Sequence, residues 1–109
     1  MSLDFPSPLA TYLGAVNRGE TENVAEYFAE HAVVRDEDKT IEGLDAIKQW
    51  MAQTKKKYQH TIEPLKFAQR DDKTIVTNRL TGNFPGSPID LQFIFGLDGD
   101  KIASLEIRS

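Results

Sequence analysis

Apolar and polar residues alternate most cleanly between residues 74 and 97, and that stretch organises the chain. In its first arm, 74–83, Val76, Asn78 and Leu80 fall on one side and Thr77, Arg79 and Thr81 on the other. In its second arm, Ile89, Leu91, Phe93, Phe95 and Leu97 share a face opposite Asp90, Gln92, Ile94 and Gly96. Strand side chains repeat every second residue. The pattern therefore predicts two strands, joined through Asn83-Phe84-Pro85-Gly86-Ser87-Pro88, with one apolar face against a core.

Upstream the period lengthens. Leu9, Tyr12, Leu13 and Val16 recur at helical spacing, with Ser7 placed to cap, Pro8 in the first turn and Gly19 placed to close the helix. Thr21 is placed to cap a second, shorter helix carrying Val24, Tyr27 and Phe28. A short strand is expected over 32–34, running into the charged cluster Arg35-Asp36-Glu37-Asp38. Ile41-Glu42-Gly43 reads as a turn into a third helix over 44–56, whose stripe is Leu44, Ile47, Trp50 and Met51. Residues 58–69 read as a strand with Tyr58, His60 and Ile62 on one face. Pro64 then breaks the alternation with a bulge, and Leu65 and Phe67 take the opposite phase. A closing strand over 102–108 carries Ala103, Leu105 and Ile107 on one face.

This order predicts one α+β domain over 1–109. Three N-terminal helices pack on a strongly curved, mainly antiparallel sheet that forms a cone with a central pocket.

Composition narrows the partners. Of the 109 residues, 39% are hydrophobic and 28% charged, which suits a folded domain rather than a disordered chain. A net charge of −4 argues against nucleic acid as the main partner, because phosphate binding needs clustered Lys and Arg. The run Lys55-Lys56-Lys57 falls at the end of the third helix, where it suits the negative end of the helix dipole. Without cysteine there is neither disulfide framework nor thiolate metal site, and the two histidines stand far apart, so no metal and no cofactor are expected. No apolar run approaches membrane-span length, and Asp4 with two nearby prolines does not make a signal peptide, so a cytoplasmic location without membrane attachment is expected.

Four segments carry a family resemblance. They are Phe28-Ala29-Glu30-His31-Ala32-Val33-Val34-Arg35-Asp36, Ile41-Glu42-Gly43-Leu44-Asp45-Ala46-Ile47, Gly82-Asn83-Phe84-Pro85-Gly86-Ser87-Pro88 and Gly99-Asp100-Lys101-Ile102. Together with the element order they resemble the nuclear transport factor 2-like superfamily, and within it the small SnoaL-like proteins related to polyketide cyclases and ketosteroid isomerase. The resemblance implies a fold that hosts isomerases, cyclases, dehydratases and epoxide hydrolases as well as members without catalysis. It also implies homodimers built on the outer sheet face, here the row Thr77, Arg79, Thr81 and Asn83. Residues 12–36 are similar to the matching region of ketosteroid isomerase. That likeness places Tyr12 as a donor to a developing oxyanion and Asp36 as the proton carrier. Asp90 alternates out of phase with Ile89, Leu91 and Phe93, and is expected to point away from the pocket. The epoxide hydrolase and dehydratase patterns match less well.

Each candidate has a structural reading beside the functional one. Asp36 is either a general base at the pocket mouth or a solvated member of a charged loop. Tyr12 is either a ligand donor or a core ring. His60 is either an auxiliary donor or acid, or a satisfied strand histidine. The expected pocket comprises Phe28, Val34, Trp50, Tyr58, Asn78, Leu80, Phe93, Phe95 and Leu105, with Asn78 a buried amide in need of partners. A small, largely apolar organic molecule is the expected ligand.

Overall fold

The structure is a computed structural model that describes residues 6–109. Residues 1–5 lie outside that range. Helix α1 spans Ser7–Arg18 and α2 spans Leu44–Tyr58. The strands are β1 Phe28–Asp36, β2 Lys39–Glu42, β3 Thr61–Arg70, β4 Lys73–Thr81, β5 Ile89–Asp98 and β6 Lys101–Arg108. They form one sheet in the order β2-β1-β6-β5-β4-β3. The β1–β6 pair is parallel and the others are antiparallel, so the sheet is mixed.

The central hairpin forms with the expected alternation. Val76 and Asn78 are wholly buried, Leu80 is half-buried, and Arg79 is exposed on the other face. Asp90 faces outward as expected, where its carboxylate accepts from Arg79 Nε at 2.9 Å. Gly19 closes α1 at φ 69° with its N–H bonded to Ala15 and Val16 carbonyls, as expected of a left-handed glycine cap. Ser7 is not the cap. The helix starts at Ser7 itself, after Pro6 in extended conformation. The Lys55-Lys56-Lys57 run lies in the last turn of α2.

Among the described residues two α-helices form rather than three. Val24–Glu26 is a single 3-10 turn, and Phe28 already opens β1, opposite Ile102. Val24, Tyr27 and Phe28 are all buried, but as a turn leading into a strand. The first strand is consequently longer than residues 32–34. Glu37 and Asp38 take positive φ values of 53° and 63°, a two-residue hairpin turn that pairs Asp36 with Lys39 and creates β2. The segment around Ile41 is thus an edge strand, not only a turn into α2.

Bulges reset the phase in two strands. Asn78 pairs with Pro64 and Thr77 with Lys66, which leaves Leu65 as the extra residue beside Pro64. Leu65 is exposed as a result, whereas Phe67 is half-buried against the core. In β6, Gly96 pairs with Ser104 and Leu97 with Ile102, so Ala103 is the extra residue. Ile102 is therefore buried in place of the expected Ala103.

Helix α1 packs against β3 and β6, and α2 against β1 and β2. Leu9, Leu13, Ile47, Phe28, Val34, Phe95, Ile102 and Leu105 make the core between these layers. Each large apolar side chain so buried contributes roughly 1.5–3 kcal/mol. Asn17, on α1, donates its Nδ2 to the Ile62 carbonyl at 2.9 Å and accepts the Ile62 N–H at 2.7 Å. This amide stands in for a missing strand at the open edge of β3. The layers do not close into the expected cone. They leave a half-open cavity between the two helices and the middle of the sheet.

Candidate functional site

The cavity has a volume of about 400 Å³. Its sheet-side floor follows from the strand register. One position beyond the pair Arg35–Glu106 stand Asp36 on β1 and Ile107 on β6. Ile107 pairs with Phe93 on β5, and two inner positions along β5 Leu91 pairs with Asn78. Ile89 pairs with Leu80, and Leu80 with Ile62 on β3. His60 immediately precedes that strand. The floor is a diagonal strip from Asp36 to His60. The helices supply the opposite wall, through Tyr12, Ala15 and Val16 of α1 and Trp50, Met51 and Lys55 of α2.

Asp36 ends β1 because the Glu37–Asp38 turn follows at once. Its Oδ2 accepts the Trp50 Nε1–H at 3.1 Å. Burial raises its pKa above the ordinary carboxylate value, while the Trp50 hydrogen bond works in the other direction. Tyr12 is 2% exposed and packs edge-on against Phe28 and Phe95. Burial, and secondarily the nearby Asp36 charge, push its hydroxyl far up, so it is a phenol and a hydrogen-bond donor at every physiological pH.

His60 is 9% exposed, and its Nδ1 is buried without a hydrogen-bond partner among the described residues. Burial, and secondarily Lys55, hold its pKa below the ordinary histidine value, so it is neutral near pH 7. The Lys55 ammonium donates to the His60 carbonyl. Above this end, Tyr58 donates its hydroxyl to Glu37 at 3.1 Å, and Phe84 packs edge-on against the Tyr58 ring. This clasp links the β1–β2 turn to the end of α2.

Of the residues expected in the pocket, Trp50, Tyr58, Leu80 and Phe93 line the cavity, as do Tyr12, Asp36 and His60. Phe28, Val34, Asn78, Phe95 and Leu105 do not. They are 0–1% exposed and lie in the core or behind the lining. Both polar atoms of the Asn78 side chain are buried without a partner among the described residues. The sequence reading missed Met51, Ile62, Leu91, Ile107 and the clasp residue Glu37 as lining. Met51 and Ile62 were visible only as apolar positions on a helix and a strand. Glu37 carried no signal apart from its place beside Asp36.

A SnoaL-like domain model matches residues 9–105, nearly the whole chain. The protein belongs to the SnoaL-like family. A candidate polyketide cyclase from Sinorhizobium meliloti is 36% identical, with 99% of each chain covered and a TM-score of 0.93. Two more distant structures share the fold. One is an epoxide hydrolase/cyclase-like enzyme of pyran ring formation in the polyether salinomycin, 23% identical over 94% of this chain and 87% of that one, with a TM-score of 0.79. The other is a protein of ketosteroid isomerase-like fold from Catenulispora acidiphila in complex with trimethylamine. It is 17% identical over 95% of this chain and 85% of that one, with a TM-score of 0.82. No curated protein matches. The family is thus related to polyketide cyclases and isomerases, and this SnoaL-like domain carries a carboxylate and a phenol on the wall of one apolar cavity. Among its described residues no helix is long and apolar enough to cross a membrane.

Proposed function

We propose that this SnoaL-like domain binds a small, largely apolar ketone and moves a proton at the carbon next to the carbonyl. The observation that carries the reading is the placement of Asp36 and Tyr12 on one apolar cavity, with Trp50 holding the carboxylate. In the reaction the Asp36 carboxylate takes the α-proton. The C–H pair becomes the enolate C=C, and the carbonyl π pair moves onto oxygen, where the Tyr12 hydroxyl donates a hydrogen bond. Return of the proton to a conjugated carbon completes an isomerisation. Attack of the enolate carbon on a second carbonyl of the same molecule, with protonation of the new alkoxide, completes an aldol cyclisation.

A second reading, ligand binding without catalysis, is favoured by one observation. Asp90 is engaged by Arg79 on the outer face, so it adds no second donor beside Tyr12. The two readings separate in deuterium oxide. With 2-acetylnaphthalene as probe, the methyl protons exchange in the presence of the wild-type protein, and Asp36→Asn abolishes that catalysed exchange. Exchange unchanged in Asp36→Asn rules out Asp36 as the base. Tight binding with no exchange in wild type establishes the binding-only reading. The outer sheet face, with its polar row around Arg79, is proposed as a homodimer surface. Native mass spectrometry of the wild type at twice the chain mass tests it.

A further inference from the structure

The exposed residues that line the cavity are Gly19, Glu20, Glu37, Pro85 and Ile89, and they mark its mouth. Four of them gather at the C-terminal end of α2. Gly19 and Glu20 follow α1, and a Cβ at Gly19 would lie 3.7 Å from Lys55 Cε. Glu37 accepts the Tyr58 hydroxyl, and Pro85 follows Phe84, whose ring packs on that of Tyr58. Tyr58, the last residue of α2, therefore stands in the mouth.

Its ring is held from several sides. The Lys57 ammonium sits 5.0 Å from the ring centroid, and Phe84 and His60 meet the ring edge-on at 5.8 and 6.5 Å. The Tyr58 carbonyl accepts the Asn83 N–H at 2.7 Å. With the ring so fixed, the hydroxyl donates to Glu37 Oε1 at 3.1 Å. Glu37 is far less anchored. It is exposed and stands at φ 53° in the turn that leads into β2, a four-residue edge strand paired only with β1. One residue earlier, Asp36 is held independently by Trp50. Trp50 and Tyr58 are eight residues apart on α2, about 12 Å along the helix axis, so the two bonds are separate ties to the β1–β2 hairpin. Breaking the Tyr58–Glu37 bond frees the turn and leaves Asp36 tied to Trp50.

We infer that the Tyr58–Glu37 hydrogen bond is a latch on the cavity mouth, and that ligand enters and leaves when the β1–β2 turn swings away from Tyr58. An exposed hydrogen bond biases a two-state equilibrium by about tenfold, so the latch opens spontaneously and needs no ligand to release it. The bond joins two protein groups, so it closes the free and the occupied protein alike. Entry and exit then both run at about a tenth of their open-mouth rates. The inference concerns access and stands apart from the proton-transfer reading.

Stopped-flow quenching of Trp50, the single tryptophan, by 2-acetylnaphthalene reads both rate constants, and acrylamide quenching of Trp50 in the free protein reads access with no ligand. Tyr58→Phe keeps the ring and removes the hydroxyl. It should raise the association and dissociation rate constants together by about tenfold, and the acrylamide quenching constant by about twofold or more. Glu37→Ala should do the same, and the double variant should go no further than either alone, because both remove one bond. Glu37→Gln keeps an acceptor oxygen and should stay within about threefold of wild type. Unchanged rates in both Tyr58→Phe and Glu37→Ala overturn the inference. Faster dissociation at unchanged association also overturns it, by making Tyr58 a ligand contact. If 2-acetylnaphthalene does not bind at all, the ketone-binding reading falls and the acrylamide comparison still decides the latch: equal quenching in wild type, Tyr58→Phe and Glu37→Ala overturns it.

Discussion

Asp36 is held between opposing influences. Burial favours its neutral form, and the Trp50 indole N–H favours its charged form. Because the native carboxyl has the higher proton affinity, the folded state binds more protons than the unfolded state between the ordinary value of 3.8 and the raised one. Stability from this group is therefore present at low pH and lost as pH rises through that window. A base must be ionised to work, so exchange activity should rise with pH through an inflection above 3.8. Asp36→Asn should cost at least about 10²-fold in exchange rate, the ordinary worth of a positioned base. The same change should raise the melting temperature at pH 7, since it removes a half-buried charge. Calorimetry on the variant checks the sign. Trp50→Phe should shift the activity inflection to higher pH, because the carboxylate loses its donor, and a pH–rate profile reads that directly. The likeness of residues 12–36 to ketosteroid isomerase singled out Tyr12 and Asp36 as candidates, and alternation gave the inner face. They could not announce which inner-face residues meet the cavity. Phe28, Val34, Phe95 and Leu105 share the inward phase with Phe93, but they pack into the core, whereas Phe93 and Leu91 border the cavity. That partition depends on where α1 and α2 come to rest, which no strand period encodes.

At the scale of elements, the site depends on how β3 is fixed at its open edge. Asn17 makes both of its hydrogen bonds to Ile62, two residues from His60. Asn17→Ala leaves the Ile62 N–H and carbonyl without those partners and should cost about 1–3 kcal/mol. Loss of hydrogen-exchange protection at the Ile62 amide would localise the effect. Gly82 sits under the same corner. A Cβ there would come within 2.6 Å of the Tyr58 carbonyl and 2.9 Å of the His60 Cα. Both are backbone atoms, so Gly82→Ala should force the turn after β4 away from His60 and cost about 1–3 kcal/mol in denaturant unfolding. These couplings were illegible in the sequence, as were two elements. Val24, Tyr27 and Phe28 have helical spacing, but five residues are too few for a period to decide between a helix and a turn entering a strand. Strand β2 has one half-buried apolar residue, Ile41, and so shows no alternation. Its only signal was the two-residue turn at Glu37-Asp38, without the glycine that usually advertises such turns. The β4–β5 hairpin and the Pro64 bulge were legible because a long alternation and a missing N–H are properties of the local chain alone.

Taken whole, the cavity is lined by both helices and by every strand except β2. A ligand there contacts chain segments from Tyr12 to Ile107, so its binding should stabilise the fold as a unit rather than one lobe of it. Linkage gives the size. A ligand that binds only the folded state adds about 2.7 kcal/mol at a hundredfold excess over Kd. For a domain of this length that corresponds to a rise in melting temperature of about 10 °C or more. His60 makes the stability of the whole molecule depend on pH. Its native proton affinity is depressed, so the unfolded state binds more protons as pH falls below the ordinary 6.5, and stability from this group is lost in that direction. The melting temperature of the free protein should therefore fall on acidification from pH 7 to pH 5, and His60→Leu should lose the part of that fall that His60 supplies. Parallel melting curves for wild type and His60→Leu across that range would show that His60 does not titrate there. Divergence below pH 6.5 would tie the stability of the whole molecule to one side chain of the cavity wall.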